Sequence, residues 1–327
     1  MENKSYEFIV EEILWNVLLQ RDICQKCRNI VGLVAQTSFG EPYKILRWWF
    51  VAEQIIITTF EWRKIIIKIG AKKKLLDDAD REIFVWSLVP DTVPSVLRKW
   101  EVKFPTGNKY WVVQEYIPGE AWSDYLKYRN LTDLHKRILA RILGKLHQTE
   151  QNWELFFWRA GPWARKKYET FEAYIWHFEQ YIENSTHFPP EIKTKILQGI
   201  LHFKQQASWK IHIPCLVHGD VQERNILIPD EKNCSLIDFW DIKWSLKEAE
   251  FATMLSHISE PKIRAQFSQI ITIYETEFWP LDKILLNLFY LCCGAYKIIQ
   301  RKEDYTKDAS IWNTIIRPVL DQITIEQ

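Results

Sequence analysis

Three oxygen-bearing side chains lie close together in a central stretch of the chain, each next to an apolar run. Asp220 follows Leu216-Val217-His218-Gly219, Asn225 comes five positions after Asp220, and Asp238 ends the run Ser235-Leu236-Ile237. This spacing predicts short β segments that carry the three residues on their connecting loops. A carboxylate there can accept the proton of an attacking hydroxyl, and an amide oxygen with a second carboxylate suits Mg²⁺. The stretch therefore predicts a phosphoryl-transfer centre.

A nucleotide that serves this centre needs a binding surface, and the upstream part of the chain offers one. Residues 29–68 are rich in β-branched and aromatic side chains separated by polar turns, which predicts an antiparallel meander. Lys68 lies in an apolar run, where an ammonium is costly unless anions such as phosphates meet it. We expect Asp80 to open a helix. Glu82 is then either the ion-pair partner of Lys68 or a solvated carboxylate stabilised by the helix dipole.

A turn within the meander is a candidate phosphate-covering loop. It spans residues 37–42 and includes Ser38 and Gly40, between two strand-like runs. Backbone N–H groups at such a turn can bind phosphate oxygens. The pattern is equally typical of an ordinary hairpin connection, so both interpretations stay open.

The predicted boundary between two lobes lies where the apolar spacing changes from strand-like to helical. A strand runs through Glu115 and Ile117 into the bend Pro118-Gly119. The backbone before this bend can offer a carbonyl and an N–H group to an adenine edge. We predict a nucleotide-binding lobe at residues 1–117 and a helical lobe, with the catalytic loop and acceptor site, at residues 118–327.

Composition argues against several classes of partner. Lysine plus arginine number 43 and aspartate plus glutamate 42, so no global field favours nucleic acid or an anionic membrane. No apolar run reaches the roughly 18 residues of a membrane span, and we expect no cleavable leader. The six cysteines lack the spacing of a disulfide framework, and Cys24 and Cys27 alone form a weak metal or redox motif. We expect a cytoplasmic monomer or homodimer without nucleic-acid or membrane partners.

The compound pattern resembles a known family. His218-Gly219-Asp220 with Asn225, followed by Ile237-Asp238-Phe239, is similar to the motifs of the aminoglycoside phosphotransferase and choline kinase superfamily. The resemblance covers roughly residues 30–260. It implies an α+β, bilobal protein-kinase-like fold with an antiparallel-sheet N-lobe and a mainly helical C-lobe. It also implies an enzyme that moves the γ-phosphate of ATP, with GTP as an alternative, to a hydroxyl of a small molecule.

The resemblance further implies a role for each candidate residue. Asp220 would be the catalytic base, and Asn225 and Asp238 would be ligands of Mg²⁺. Lys68 would contact the nucleotide phosphates with Glu82 as its helix partner, and the segment before the Pro-Gly bend would be the hinge.

Two departures from the family pattern lie near the centre. Glu223-Arg224 stands where the family usually has Pro-Gly, which adds bulk and charge beside the acceptor site. Glu250 stands where the family commonly has Asp, and we expect its carboxylate to anchor the loop.

The acceptor stays open at this level. An aminoglycoside or related antibiotic ranks first as the broadest family label and requires convergent carboxylates, for which the candidates are Glu260, Glu275, Glu277, Asp282, Glu303 and Asp304. A choline-like acceptor or another metabolite instead requires an aromatic cage, for which the candidates are Trp240, Trp244, Tyr274, Trp279, Tyr290 and Tyr296. A non-catalytic nucleotide-binding regulator with the same fold is a further hypothesis, which the complete set of predicted catalytic residues disfavours.

Overall fold

The computed structural model describes residues 44–46, 54–60, 63–90, 93–104, 107–127, 129–149, 156–157, 167–207, 213–257, 260–301 and 311–325. The candidates Ser38 and Gly40, and the Cys24–Cys27 pair, lie outside the described residues. The chain divides into two compact units. Unit 1 contains the described residues up to Asp80 together with Pro94–Tyr116, and unit 2 contains Arg81–Val93 together with the chain from Ile117 onward.

Unit 1 is built on a five-stranded antiparallel sheet with the strand order β1-β2-β3-β5-β4. The strands are β1 (Lys44–Leu46), β2 (Gln54–Phe60), β3 (Arg63–Gly70), β4 (Val96–Phe104) and β5 (Gly107–Glu115). Their β-branched and aromatic residues explain the preference for strand. The predicted antiparallel sheet is confirmed for these strands.

Helix α1 spans Lys74–Leu88 and begins before the expected start at Asp80, so that expectation is wrong. Leu75 and Ala79 pack with Tyr110 and Val112 of the sheet in a small hydrophobic cluster. Only a narrow apolar face therefore marks the first turns of the helix. Because charged residues surround this face, the sequence pattern did not indicate the true start of the helix.

Unit 2 is mainly helical. Its helices are α2 (Trp122–Tyr125), α3 (Asp133–His147), α4 (Phe171–Glu183), α5 (Pro190–Ala207), α6 (Lys247–His257), α7 (Pro261–Glu277), α8 (Lys283–Arg301) and, after a π-helical turn at Trp312–Ile316, α9 (Arg317–Ile325). The Thr132 side chain accepts a hydrogen bond from the His135 N–H and so caps the N-terminus of α3. Within the described part of the chain, no helix has the length and apolar character needed to cross a bilayer.

Short strands complete unit 2. They are β6 (Glu120–Ala121), β7 (Phe156–Phe157), β8 (Lys167–Tyr168), β9 (Cys215–Val217), β10 (Ile226–Ile228), β11 (Ser235–Leu236) and β12 (Lys243–Ser245). Strand β10 lies between β11 and β6, and β9 pairs with β12.

The Pro-Gly bend packs directly against one of these strands. Gly119 has a φ of 134°, and a Cβ at this position would lie 2.9 Å from the carbonyl carbon of Ile228. The bend therefore fits against the end of β10 only because residue 119 has no side chain.

Candidate functional site

The candidate site begins at the end of strand β9. Leu216 and Val217 are fully buried, and Lys243 of β12 pairs with Val217. Gly219 follows with a φ of 81°, in the left-handed region that glycine adopts readily. A Cβ at Gly219 would lie 2.5 Å from the carbonyl oxygen of Asp241. Both the turn and this close approach therefore require glycine.

The buried carboxylate of Glu250 anchors the turn. It accepts hydrogen bonds from the backbone N–H groups of His218 and Gly219, the latter at 3.1 Å. Burial alone would raise the pKa of Glu250, but nearby His147 and further basic groups, Lys243 among them, hold that pKa below its ordinary value. The charged carboxylate is therefore the form that binds the two amides, and the expected anchoring role is confirmed.

His218 holds the turn as a neutral imidazole. Its Nε2 lies 3.0 Å from the carbonyl oxygen of Ile237, and its Nδ1 lies 3.2 Å from the backbone nitrogen of Asp220. Nε2 therefore carries a proton and donates it, while Nδ1 accepts from the Asp220 N–H. Burial lowers the pKa of His218, which favours the neutral form. Both ring nitrogens have structural partners, so His218 positions Asp220.

Asp220 itself is almost fully buried, and its neighbours approach one carboxylate oxygen. Gln222 Nε2 donates to Oδ2 at 2.7 Å and Asn225 Nδ2 donates to the same atom at 3.2 Å. The Nη2 atom of Arg224 lies 3.9 Å from Oδ2. Two neutral donors therefore fix the orientation of the carboxylate. Gln222 was not singled out from the sequence, where a glutamine two residues after an aspartate carries no signal.

Asn225 and Asp238 are brought together by the backbone. The N–H of Ile237 donates to the carbonyl of Asn225 at 2.9 Å, which places the residue before Asp238 against Asn225. The Asn225 amide nitrogen also donates to the Asp220 carbonyl at 2.9 Å, so the amide oxygen points away from Asp220. Asp238 has a φ of 69°, an uncommon conformation for a residue with a side chain.

This donor set fits Mg²⁺, which prefers carboxylate and amide oxygens and usually keeps further positions for phosphate and water. Among the described residues, no three His, Cys, Asp or Glu side chains converge as a preformed metal site. The role of Asn225 and Asp238 as ligands of Mg²⁺ stays a prediction.

An ion pair that the sequence did not indicate lies behind the turn. The Nζ atom of buried Lys243 is 3.5 Å from Asp241 Oδ2, and a Cβ built on Gly219 would lie 3.2 Å from both atoms. Burial alone would lower the pKa of Lys243, but the Asp241 carboxylate and other nearby acidic groups raise it above its ordinary value. A charged ammonium therefore balances the Asp241 carboxylate beside Gly219.

The upstream candidates Lys68 and Glu82 belong to different units. Lys68 is half-buried on β3 of unit 1 and pairs with Val112 of β5. Glu82, in unit 2, is only 5% exposed in the middle of α1, so its interpretation as a solvated residue in a first helical turn is wrong. The ion pair between Lys68 and Glu82 stays a prediction.

Arg81, which sequence reasoning did not select, supports the loop that follows Asp238. Its guanidinium is buried, and Nη1 donates to the carbonyl of Trp240 at 3.0 Å, two residues after Asp238. An arginine within a helix is usually an exposed residue, so only the tertiary structure reveals this contact.

Part of the backbone in the predicted hinge is used inside the sheet of unit 1. The N–H of Glu115 donates to the Ser95 carbonyl at 2.9 Å, and the N–H of Tyr116 donates to the Lys64 carbonyl at 3.1 Å. The Glu115 side chain accepts from the Ser95 hydroxyl at 3.0 Å. The contacts of Glu115 and Ile117 with a nucleotide base stay predictions. The N–H groups of Glu115 and Tyr116 are already used within the sheet, so neither is available to a base.

A model of the phosphotransferase enzyme family (APH) matches residues 79–281. No curated protein sequence is significantly similar to the chain.

Solved structures match over most of the chain. A thermostable mutant of aminoglycoside phosphotransferase APH(4)-Ia, in a ternary complex with AMP-PNP and hygromycin B, matches with a TM-score of 0.62 at 15% identity, covering 90% of this chain and 97% of that one. Spectinomycin phosphotransferase APH(9)-Ia, in complex with ADP and spectinomycin, matches with a TM-score of 0.54 at 14% identity, covering 86% and 88%. A microcompartment-associated aminopropanol kinase matches with a TM-score of 0.54 at 16% identity, covering 86% and 93%. These matches confirm the α+β, bilobal kinase-like fold.

Proposed function

The chain belongs to the phosphotransferase enzyme family, and we propose that it is a small-molecule kinase that moves the γ-phosphate of ATP to a hydroxyl of its acceptor. The observation that carries the proposal is the junction at Asn225. Its side chain donates to the Asp220 carboxylate, and its backbone carbonyl accepts from the residue before Asp238. One residue thus links a candidate base to a candidate metal loop.

Asp220 is the proposed catalytic base. The acceptor oxygen forms a bond to the γ-phosphorus while its proton passes to the Asp220 carboxylate. The bond from the γ-phosphorus to the bridging oxygen breaks, and ADP leaves with that electron pair. Proton acceptance during transfer, together with correct orientation, is the contribution expected of such a carboxylate. Gln222 and Asn225 supply the orientation by donating to Oδ2.

The nucleotide site is proposed in the same way. Asn225 and Asp238 would hold Mg²⁺, which when bound neutralises charge on the nucleotide phosphates. Lys68 and Glu82 would serve the phosphates from upstream, and the backbone of Glu115 and Ile117 would meet the base. GTP is the alternative donor. We place the enzyme in the cytoplasm, where ATP is available and where the buried free thiols Cys215, Cys234, Cys292 and Cys293 would stay reduced.

Among the similar solved structures, one is a complex with hygromycin B, one is a spectinomycin phosphotransferase with bound spectinomycin, and one is an aminopropanol kinase. The likeness therefore supports a small-molecule acceptor without selecting an aminoglycoside over a choline-like or other metabolite.

The test is ADP formation from ATP with a panel of aminoglycosides, macrolides, choline analogues, sugars and hydroxy acids. We expect Asp220→Asn to lower acceptor-dependent turnover by about 10²- to 10⁴-fold while nucleotide affinity is retained. Asp133→Asn is the matched control, since the Asp133 side chain is 88% exposed and pairs only with Lys136 among the ion pairs of the described residues. If nucleotide binds but no compound stimulates turnover, the enzyme proposal fails and the regulator alternative gains support. Retained turnover in Asp220→Asn would show that another group is the base.

A further inference from the structure

Arg224 lies beside the candidate base and faces solvent. It belongs to a 3₁₀ turn at Glu223–Asn225, and its side chain is 67% exposed. Its distance of 3.9 Å from Asp220 Oδ2, together with that exposure, makes the ion pair a weak one. The guanidinium is therefore able to exchange Asp220 for an anion that it binds with two parallel hydrogen bonds.

The adjacent Glu223 is less exposed than Arg224. One of its carboxylate oxygens, Oε2, is shielded from solvent and the residue is partly buried, whereas Arg224 is an exposed residue. Of the two neighbouring side chains, Arg224 is the more accessible to an incoming molecule. The side of the turn that is open to solvent carries the cation.

Most of the described carboxylates that could attract a polycationic acceptor already have structural partners, whereas Glu260 is exposed. Glu250 binds the backbone of the catalytic turn, and Asp241 pairs with Lys243. Three carboxylates of the C-terminal helices are engaged as well: Glu277 with Arg137 and Arg141, Glu275 with the Leu281 N–H, and Asp282 with the N–H groups of Ile284 and Leu285. Glu303 and Asp304 lie outside the described residues.

The local charge therefore opposes an ammonium group next to the reacting hydroxyl. An acceptor with such a group would meet Arg224 at the base, with the Asp241 charge already balanced by Lys243. An acceptor with a carboxylate or phosphate would gain a charge-assisted contact at the same position. Two of the six aromatic candidates do not offset this difference, since Tyr274 is fully buried against His147 and Phe251 and Trp244 is buried as well.

We propose that the acceptor carries an anionic group beside its hydroxyl, and that Arg224 is the residue that recognises it. This inference rests on the proposed function and narrows its acceptor class. The guanidinium could also serve a phosphate of the nucleotide, which is the same chemistry from another source, so the experiment must separate the two.

The experiment compares acceptors by charge with the full-length protein. Glycerate and 3-hydroxybutyrate represent anions, glycerol and glucose represent neutral acceptors, and choline and hygromycin B represent cations. We expect kcat/KM to be highest in the anionic class. Arg224→Gln should raise the KM for anionic acceptors by roughly 10- to 100-fold, change the KM for neutral acceptors by less than about threefold, and leave the KM for MgATP within about twofold. Arg224→Lys should recover part of the loss, because it restores the charge without the planar fork.

Arg129→Gln is the matched control, since Arg129 is also exposed and pairs with Glu231 at 3.2 Å away from the turn. It should leave every KM unchanged. A preference for cationic or neutral acceptors would overturn the inference and leave the kinase proposal standing. A rise confined to the KM for MgATP would assign Arg224 to the nucleotide and also overturn it. If the whole panel is inert, the proposed function fails first.

Discussion

The carboxylate of Glu250 lies 3.1 Å from the backbone nitrogen of Gly219, thirty-one residues away in sequence and one residue before Asp220. The same carboxylate accepts from His218, so one buried side chain satisfies two consecutive amides. Buried N–H groups must be paired, and a charged acceptor forms the stronger bond. The position of the candidate base thus depends on a helix that carries no proposed catalytic residue.

Replacing Glu250 by glutamine should destabilise the protein by about 2–3 kcal/mol, because the amide can accept only through one oxygen and leaves a buried donor unsatisfied. Urea unfolding measures the change. Glu277→Gln is the control. It removes ion pairs with Arg137 and Arg141, whose side chains are more than half exposed, and should cost less than about 1 kcal/mol. Equal losses of unfolding free energy in the two variants would show that the hydrogen bonds between Glu250 and the backbone amides contribute no more than an exposed ion pair.

Stability should depend on pH through His218. Its pKa is lowered by burial, so between the ordinary value of 6.5 and the lower folded-state value only the unfolded chain binds the proton. The free energy of unfolding therefore falls as pH drops below about 6.5, with a slope of at most about 1.4 kcal/mol per pH unit from this group. Glu250 adds a separate loss at lower pH, since its pKa is held below the ordinary 4.5.

The variant His218→Asn isolates the first effect, because asparagine does not titrate and its oxygen can still accept from the Asp220 N–H. Urea unfolding at several pH values between 5 and 8 should give a shallower slope for His218→Asn than for the wild type. The same slope in both proteins would assign the effect to other groups.

Two glycines with positive φ separate conformational strain from steric overlap. Gly107→Ala, at a φ of 123° with open space around the new methyl group, should cost about 1–3 kcal/mol and keep the activity. Gly219→Ala adds a Cβ 2.5 Å from the Asp241 carbonyl oxygen and should cost at least about 2 kcal/mol more, with loss of transfer. Unfolding and turnover measured side by side decide the point. Similar losses of stability and activity in the two variants would mean that the turn at Gly219 relaxes to accommodate the methyl group.

Asp238→Asn tests the proposed metal ligand with little change in backbone preference, because asparagine also tolerates the left-handed conformation. Loss of one negative charge should raise the Mg²⁺ concentration needed to bind a fluorescent ATP analogue by about tenfold or more. Asp241→Asn is the comparison, since Asp241 is paired with Lys243. If Asp241→Asn shifts the Mg²⁺ requirement more than Asp238→Asn, the ligand has been assigned to the wrong aspartate.

The sequence predicted the parts of this structure that depend on local patterns. The apolar runs at Leu216–Val217, Ile226–Ile228 and Ser235–Leu236 all lie in short strands. Such runs are short, buried and bounded by turn residues, so local chemistry specifies them.

The sequence did not predict the contacts that arise when distant strands pair. Lys243 lies next to the turn at His218–Asp220 because β12 pairs with β9, and no local signal distinguishes this lysine from an exposed one. Arg81 was missed for a similar reason, since its partner is the carbonyl of Trp240, 159 residues away. The expected solvated position of Glu82 was wrong because the helix begins at Lys74, which moves Glu82 from the first turn to the buried middle.

Gly119 is a position where high surface accessibility does not imply tolerance to mutation. It is an exposed residue, so a substitution survey guided by accessibility alone would class it as freely variable. Its missing side chain instead lets the main chain touch the backbone of Ile228 and Pro229, where no rotamer change can make room. Selection for function should therefore retain glycine at this position as strictly as at a core site, and a library built on this scaffold should leave it fixed.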